Sequence, residues 1–373
     1  MKIRSLSLSG FRNIKEAHLT FSPDVTFLLG DNAHGKTNVL EAIYLFARGK
    51  SFRGARDAEM TSFGQEGYSL TLSYEKEDRR EELSLAVKGR SKTRKRNGVL
   101  LDRQSELVGS FRAVLFCPDH LQMVKGSPSE RRRFMDIAIA QCYPVYISHY
   151  SRYAKNLEER NALLKAMQKG VFYGEDMLLV YSEALADAAA EIYLYRKKYI
   201  ALLKEEAARV MWELSHGREE LSLSYEGDFE GEEYEDKEAL RAAYGKLFTK
   251  NTERERAAGM TLYGIHRDEL KISLSGLSAK DYASQGQQRS IVLSLKMAEG
   301  MVCRALTGES PVYLFDDVLS ELDEGRRRFL LSGMQGCQFI VTGCDEKVLS
   351  ETPGKVKIIK VKEGTFTERE NEE

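Results

Sequence analysis

The stretch Gly30-Asp31-Asn32-Ala33-His34-Gly35-Lys36-Thr37 constrains this chain more than any other feature. It reads G-x-x-x-x-G-K-T, and both flanks suit that reading. Val25–Leu29 before it is an apolar run suited to a buried parallel strand, and Asn38–Ala47 after it carries apolar residues at helical spacing. Strand, glycine loop and helix together aim backbone N–H groups and a helix N-terminus at a polyphosphate. The pattern assigns Gly30 and Gly35 to shaping the loop, Lys36 to the β- and γ-phosphates of ATP, and the Thr37 hydroxyl to Mg²⁺. Asp31, Asn32, Ala33, His34 and Asn38 complete the expected ATP-binding segment.

A second feature lies far downstream. Val312-Tyr313-Leu314-Phe315-Asp316-Asp317 is an apolar run ending in two carboxylates, the Walker B pattern in which a buried strand delivers an acid to the metal. Asp316 is the expected metal residue and Asp317 the residue expected to polarise the attacking water. By itself the segment also fits a strand followed by a helix-capping Asp; the upstream loop, which needs a metal-holding acid, favours the first reading. About 280 residues separate Lys36 from Asp316. A gap of that size implies a large insertion between two halves of one nucleotide-binding sheet.

Just before the second feature, Asp281-Tyr282-Ala283-Ser284-Gln285-Gly286-Gln287-Gln288-Arg289-Ser290 leads into the helical run Ile291–Ala298. Small and polar residues leave that helix N-terminus open to an anion, although a plain polar cap explains them equally well in isolation. Taken in order with the other two motifs, the segment reads as the signature of an ABC-type ATPase. Such a signature caps the γ-phosphate held by a partner subunit. Ser284 and Gln287 are then expected to act across an ATP-dependent homodimer in which two chains sandwich two ATP molecules.

The set of motifs resembles the RecF family of bacterial recombination-repair ATPases, related to the heads of SMC-type proteins. The residues that carry the likeness are Ser9-Gly10-Phe11-Arg12-Asn13, the glycine loop, Val124–Asp136, Gly264-Ile265-His266-Arg267-Asp268, the signature, and Leu314–Asp323. The resemblance spans essentially the whole chain in order. It implies an α/β fold: an ABC-type P-loop ATPase head, with mixed β-sheet lobes around a P-loop helix and an inserted helical, coiled-coil-like arm domain. It further implies slow ATP turnover as a switch, DNA as a partner, RecR and RecO as protein partners at single-strand gaps, and a cis contact from Arg12 to the nucleotide. The alternative for Arg12 is a surface arginine beside a strand. Asn32 falls where a loop amide of SMC-type heads faces the γ-phosphate. Departures are Asp317 where many ABC proteins carry Glu, Thr342 where transporter ATPases carry a His switch, and Cys117-Pro118-Asp119-His120 where an acidic pair is expected.

Composition narrows the setting. The 373 residues suffice for two or three domains, and no stretch approaches the ~18 apolar residues of a membrane span. Met1–Leu8 alternates charge and polarity where a secretory signal would have an apolar block. Cysteines 117, 142, 303, 337 and 344 show no C-x-x-C spacing, which suggests free thiols in a reducing cytoplasm. The net charge of −1 means that any DNA surface must be local.

Along the chain, residues 1–125 read as β structure around the P-loop helix, the first half of the ATPase lobe. Residues 126–258 read as the helical arm, opened by a capping box at Ser127-Pro128-Ser129-Glu130 with Pro at the first helical position. Its longest helix is expected from about 176 to 216, with Leu178, Tyr181, Leu185, Ala188, Ile192, Tyr195 and Tyr199 forming a seam against Tyr153, Leu157, Leu164 and Met167; an ordinary helical core fits the same spacing. The acidic stretch 226–239 reads as an exposed loop. Residues 259–373 read as the second half of the lobe, with a polar, frayed tail from 363.

The densest basic segment, Lys88–Arg96, runs into an Asn97-Gly98 hairpin turn. Lys92, Arg94, Lys95 and Arg96 are the expected phosphate-tracking residues for DNA with little sequence preference. An edge strand guarded by charge is the alternative. Arg131–Arg133 and Arg326–Arg328 are weaker signals that suit carboxylate pairing equally. Three rival functions remain: a P-loop small-molecule kinase, a transporter ATPase subunit, and an SMC-like scaffold that binds ATP without turnover.

Overall fold

The computed structural model describes residues 1–370 except 78, 172–174, 230–233, 235, 320–321, 334–335, 344–351 and 353–354. Ser320 and Glu321 of the post-Walker B motif, Cys344, and residues 230–233 and 235 of the acidic stretch therefore lie outside the described residues. The chain divides into two compact units. The first comprises Met1–Leu121, Val210–Arg218 and Ser284–Glu373; the second comprises Gln122–Arg209 and Glu219–Ala283. Residues 210–218 thus join the first unit and 259–283 the second, an interleaving that three consecutive segments do not express.

The first unit holds two six-stranded sheets. One is antiparallel, in the order Ile14–Thr20, Lys2–Phe11, Gly67–Lys76, Arg79–Lys88, Ser91–Arg96, Val99–Leu100. The other runs Thr365–Glu370, Val356–Lys362, Val25–Leu29, Phe339–Gly343, Val312–Phe315, Ala113–Phe116, parallel throughout except at the first pair. Parallel strands covered on both faces read as continuous apolar runs, and the period-2 rule sorts their residues cleanly. Leu28, Leu115, Leu314, Ile340 and Ile359 share one core with the P-loop helix Lys36–Arg48 and the antiparallel sheet. Phe27, Leu29, Val114, Phe116, Tyr313, Phe315, Phe339 and Val341 face a second core with Leu293 and Met297 of the helix Gln285–Thr307.

The tail differs from expectation. Thr365–Glu370 is a paired edge strand rather than a frayed end, closed by a two-residue turn in which Glu363 and Gly364 both have positive φ (48° and 76°). Lys357 bonds Glu368 at 2.6 Å and also reaches Thr20, which ties the edge down.

The second unit carries the helices Pro128–Cys142, Tyr146–Gln168, Lys237–Lys250 and Thr252–Ala258, most of the helix Glu175–Leu214, and a three-stranded sheet. The 40-residue helix rises about 60 Å, and its bounds match the sequence reading. Leu164 and Met167 do meet Leu178 and Tyr181. Ala186, Ala189, Ala190, Tyr193 and Arg196 are buried as well, so the helix is covered beyond its seam. The helix at Pro128 begins where expected, but Ser127 makes no side-chain cap and its hydroxyl meets that of Ser129 instead. The acidic stretch is not all exposed loop: Glu226 ends a strand, Phe229 is buried against Tyr244, and Lys237 opens a helix.

The polar groups buried in this unit are joined in networks. Arg160, fully buried, donates to Glu255 at 2.6 Å, Thr261 at 2.8 Å and Ser182 at 2.9 Å. Arg196 donates to Asp136 at 2.9 Å, to Asp268 at 3.0 Å and to the Ile265 carbonyl at 2.7 Å. Tyr153 and His266 meet at 2.7 Å, and burial pushes His266 down to about 4. The Gly264–Asp268 motif is thereby explained as framework of this unit. Removing one partner of a buried pair strands the other charge. Glu255→Gln is therefore expected to cost about 3–5 kcal/mol in urea unfolding, and the double change Glu255→Leu with Arg160→Leu to cost less than the single one.

Candidate nucleotide site

Three neighbouring strands of the parallel sheet build the site from their C-terminal ends. Val25–Leu29 delivers the glycine loop, Val312–Phe315 delivers Asp316 and Asp317, and Phe339–Gly343 lies between them. The register pairs Phe315 with Val341 and Leu28 with Thr342, so Thr342 comes level with the two acids. Thr37 donates its hydroxyl to Asp316 Oδ1 at 2.7 Å, across 279 positions of sequence. Thr342 donates to the same oxygen at 3.1 Å and accepts from the Asp317 amide at 2.9 Å. Asp317 takes a positive φ of 53°, a conformation Asp tolerates better than most residues, and its side chain lines the cleft.

The loop is held from behind. Gly35 sits at φ 112°, and a Cβ there would come within 2.8 Å of Asn13. A Cβ on Gly30 would strike the Val361 carbonyl at 2.2 Å. Asn13 donates to the His34 carbonyl at 3.2 Å and accepts from Asn38 at 2.8 Å, and the Gly364 amide donates to the same His34 carbonyl at 2.9 Å. Lys36 Nζ donates to the Gly30 carbonyl at 2.5 Å and to that of Asp31 at 3.1 Å, bonds a phosphate oxygen could replace. A cleft of about 600 Å³ opens over the loop, within the roughly 300–1,000 Å³ common for small-molecule sites. Asp31, Asn32, Ala33, Gly35, Lys36, Thr37 and Asn38 line it together with Arg12, Arg53 and Phe63.

Arg12 reaches the cleft but is anchored, donating both arms to the fully buried Glu41 at 2.8 and 2.7 Å. Ser51 also donates to Glu41, and Arg53 approaches it at 3.9 Å. The sequence reading missed this Arg12–Glu41–Ser51 cluster. Its only local hint was a carboxylate on the apolar side of the P-loop helix.

Ser284 and Gln287 stand apart from the cleft lining among the described residues. They form a reciprocal capping box: the Gln287 amide donates to Ser284 Oγ at 3.2 Å and the Ser284 amide to Gln287 Oε1 at 2.8 Å. Ser284 is exposed. Arg326 braces the same helix end through Ser290, 2.8 Å away, while its own helix start is held by Asp323. The polar cap that these residues suggested in isolation is therefore present.

The basic hairpin forms as expected, with Asn97 and Gly98 both at positive φ. Its charges are partly matched: Lys92 bonds Asp57 at 2.7 Å and Arg96 bonds Glu81 through both arms at 3.0 and 2.9 Å. Arg94 is half-buried and Lys95 exposed. Arg131 pairs with Glu269, and Arg326 and Arg328 pair with Asp323 and Glu324, as the carboxylate alternative anticipated. Cys117, Cys142, Cys303 and Cys337 are free, and burial pushes the Cys117 thiol up to about 12. Among the described residues no helix is long and apolar enough to cross a membrane.

Burial raises the Asp316 carboxyl above its ordinary value, against the pull of the Thr37 and Thr342 hydroxyls. A raised carboxyl favours the folded state when protonated, and that contribution is lost as pH rises through the folded value. Near pH 7 the nucleotide-free chain therefore carries an unfavourable buried charge. Asp316→Asn is expected to raise the melting temperature of the metal-free protein at pH 7, with the gain shrinking in acid; an equal gain at all pH values would mean that the charge is not its source.

Comparison with known proteins agrees with this geometry. The RecF/RecN/SMC N-terminal domain family matches residues 2–367. A DNA replication and repair protein RecF of Shouchella clausii is 39% identical over 94% of this chain and 96% of its own. One from Halalkalibacterium halodurans is 36% identical over 99% of this chain and all of its own. A solved structure of the recombination mediator protein RecF with ATP, in the RecFOR pathway, superposes with a TM-score of 0.91 at 31% identity, covering 99% of this chain and 97% of that one. The Smc head domain of Pyrococcus furiosus, at 18% identity and a TM-score of 0.57 over 99% of this chain and 96% of its own, shares the fold.

Proposed function

This chain belongs to the RecF family within the RecF/RecN/SMC group, and from that premise we propose that it is an ATP-binding switch of DNA replication and recombinational repair. The observation that carries the reading is the joining of Thr37, Asp316 and Thr342 at one carboxylate oxygen beside a P-loop. Two hard oxygen donors at that point suit Mg²⁺, which bound there would neutralise phosphate charge. Thr37 and Asp316 are the residues that would hold it. Lys36 exchanges its loop-carbonyl bonds for the β- and γ-phosphates, and the amides of the glycine loop receive the remaining charge. Asp317, fixed by its amide to Thr342, orients the attacking water. Being one methylene shorter than Glu, it suits a slow turnover.

ATP closes two chains face to face, with Ser284 and Gln287 of each completing the γ-phosphate site of the other. The capping box supports this. Ser284 caps its helix with an oxygen lone pair, which leaves the hydroxyl proton to donate outward. The closed dimer clamps duplex or gap-junction DNA through backbone contacts from the Lys92–Arg96 hairpin, hydrolysis releases it, and RecR and RecO act with it in recombinase loading. This places the work in the cytoplasm.

Two measurements test the reading. Asp317→Asn should lower ATP hydrolysis by about 100-fold or more while preserving ATP binding, and should leave a long-lived ATP-bound dimer on gel filtration; normal hydrolysis removes Asp317 from the chemistry. Arg94→Glu with Lys95→Glu should weaken binding to duplex DNA equally across sequences and reduce the salt slope by roughly one for each phosphate no longer neutralised, leaving ATP affinity unchanged. Unaltered DNA retention places the DNA surface elsewhere.

A further inference from the structure

Phe63 stands out from every other aromatic residue of the first unit. Its side chain is fully exposed, yet it lines the mouth of the nucleotide cleft beside Thr61, Glu59 and Arg53. Single exposed apolar residues are common on proteins and need no explanation; this one sits on a turn whose neighbouring residues are pinned. Thr61 bridges to Phe11, and the Ser62 amide donates to the Gly10 carbonyl at 2.8 Å. The Ser62 hydroxyl, buried, donates to the Ile14 carbonyl at 3.2 Å. The Gln65 amide closes the turn onto the Ser62 carbonyl at 3.0 Å, with Gly64 at φ 80° in its third position, the arrangement of a type II turn. With Ser62 committed inward, the next side chain must leave the surface, so the ring is presented rather than merely left over.

We propose that Phe63 is the stacking platform for the base of the bound nucleotide, a subsite that selects purines over pyrimidines by ring area. The proposal rests on the nucleotide reading given above, because the triphosphate must lie on the glycine loop for the base to fall toward the cleft mouth. Stacking suits the site because the neighbouring polar groups are engaged nearby: Arg12 with Glu41 and the Glu59 carbonyl, Thr61 with the Asp57 carbonyl, and the Glu59 carboxylate with the Arg56 amide. A flat, exposed ring on the cleft that the glycine loop also lines supplies the apolar surface that such a ligand still lacks, and every base has a π-face to offer it.

The test is calorimetric titration of the full chain, as wild type, Phe63→Ala and Phe63→Tyr, with Mg-ADP, Mg-ATP, Mg-GTP, Mg-CTP and inorganic tripolyphosphate. Phe63→Ala is expected to weaken ADP, ATP and GTP about tenfold or more, CTP by less, and tripolyphosphate not at all, while Phe63→Tyr restores wild-type affinity. Unchanged ADP and ATP affinity in Phe63→Ala, with tripolyphosphate still bound, overturns the platform and leaves the P-loop reading standing. An equal loss for tripolyphosphate, or a loss seen with ATP but not ADP, also overturns it, the latter by placing the ring at a junction between chains. A wild type that binds none of the five ligands overturns both readings. Circular dichroism of each variant checks that the exposed ring can be removed without unfolding.

Discussion

One carboxylate oxygen organises the nucleotide site. Asp316 Oδ1 receives the hydroxyls of Thr37 and Thr342 and so ties three strands of one sheet at their C-terminal ends. The strand Phe339–Gly343 is what makes this possible, because it separates the P-loop strand from the acid-bearing strand and brings a hydroxyl between them. The Asp317 amide closes on that hydroxyl, which places the second acid at the cleft. Burial keeps Asp316 reluctant to be charged. A cation at the same point would reverse that preference, so metal binding would offset the cost of burying the Asp316 charge.

The second unit solves a different problem with the same means. Arg160 and Arg196 are almost wholly inaccessible, and each is answered by carboxylates, hydroxyls or carbonyls from several segments. Such networks contribute little net stability compared with an apolar core, but they make partial assembly costly because each missing partner leaves a buried charge. Asp136 and the Gly264–Asp268 segment, which carried the family resemblance in sequence, belong to this framework.

Much of the site was legible because its parts are local. The glycine loop, the acid pair and the hairpin turn each fit within a few residues, and Thr342 was identifiable from its place after an apolar strand. What the sequence concealed came from packing across distance. Nothing local announces that Glu41 receives Arg12, that Asn13 backs the glycine loop, or that the tail returns as an edge strand in the sheet of the P-loop strand. Lys92 and Arg96 looked free in a basic run, yet strand alternation turns both toward carboxylates. Nothing in the sequence singles out Phe63 either, because the turn that presents it is pinned by hydrogen bonds to Gly10 and Ile14.

In the proposed switch, association of two chains is the decisive step. The cleft is lined by the glycine loop, Lys36 and Asp317, with Asp316 bonded to Thr37 beside it, and the proposal assigns the exposed Ser284 helix end to the γ-phosphate of a second chain. Sedimentation velocity of the wild type and Ser284→Arg, with saturating ATP and with ADP, addresses this without intermediaries. The wild type is expected to shift to a dimer with ATP alone, and Ser284→Arg to bind ATP equally well but remain monomeric. A Ser284→Arg protein that dimerises with ATP as the wild type does would contradict the shared-site dimer.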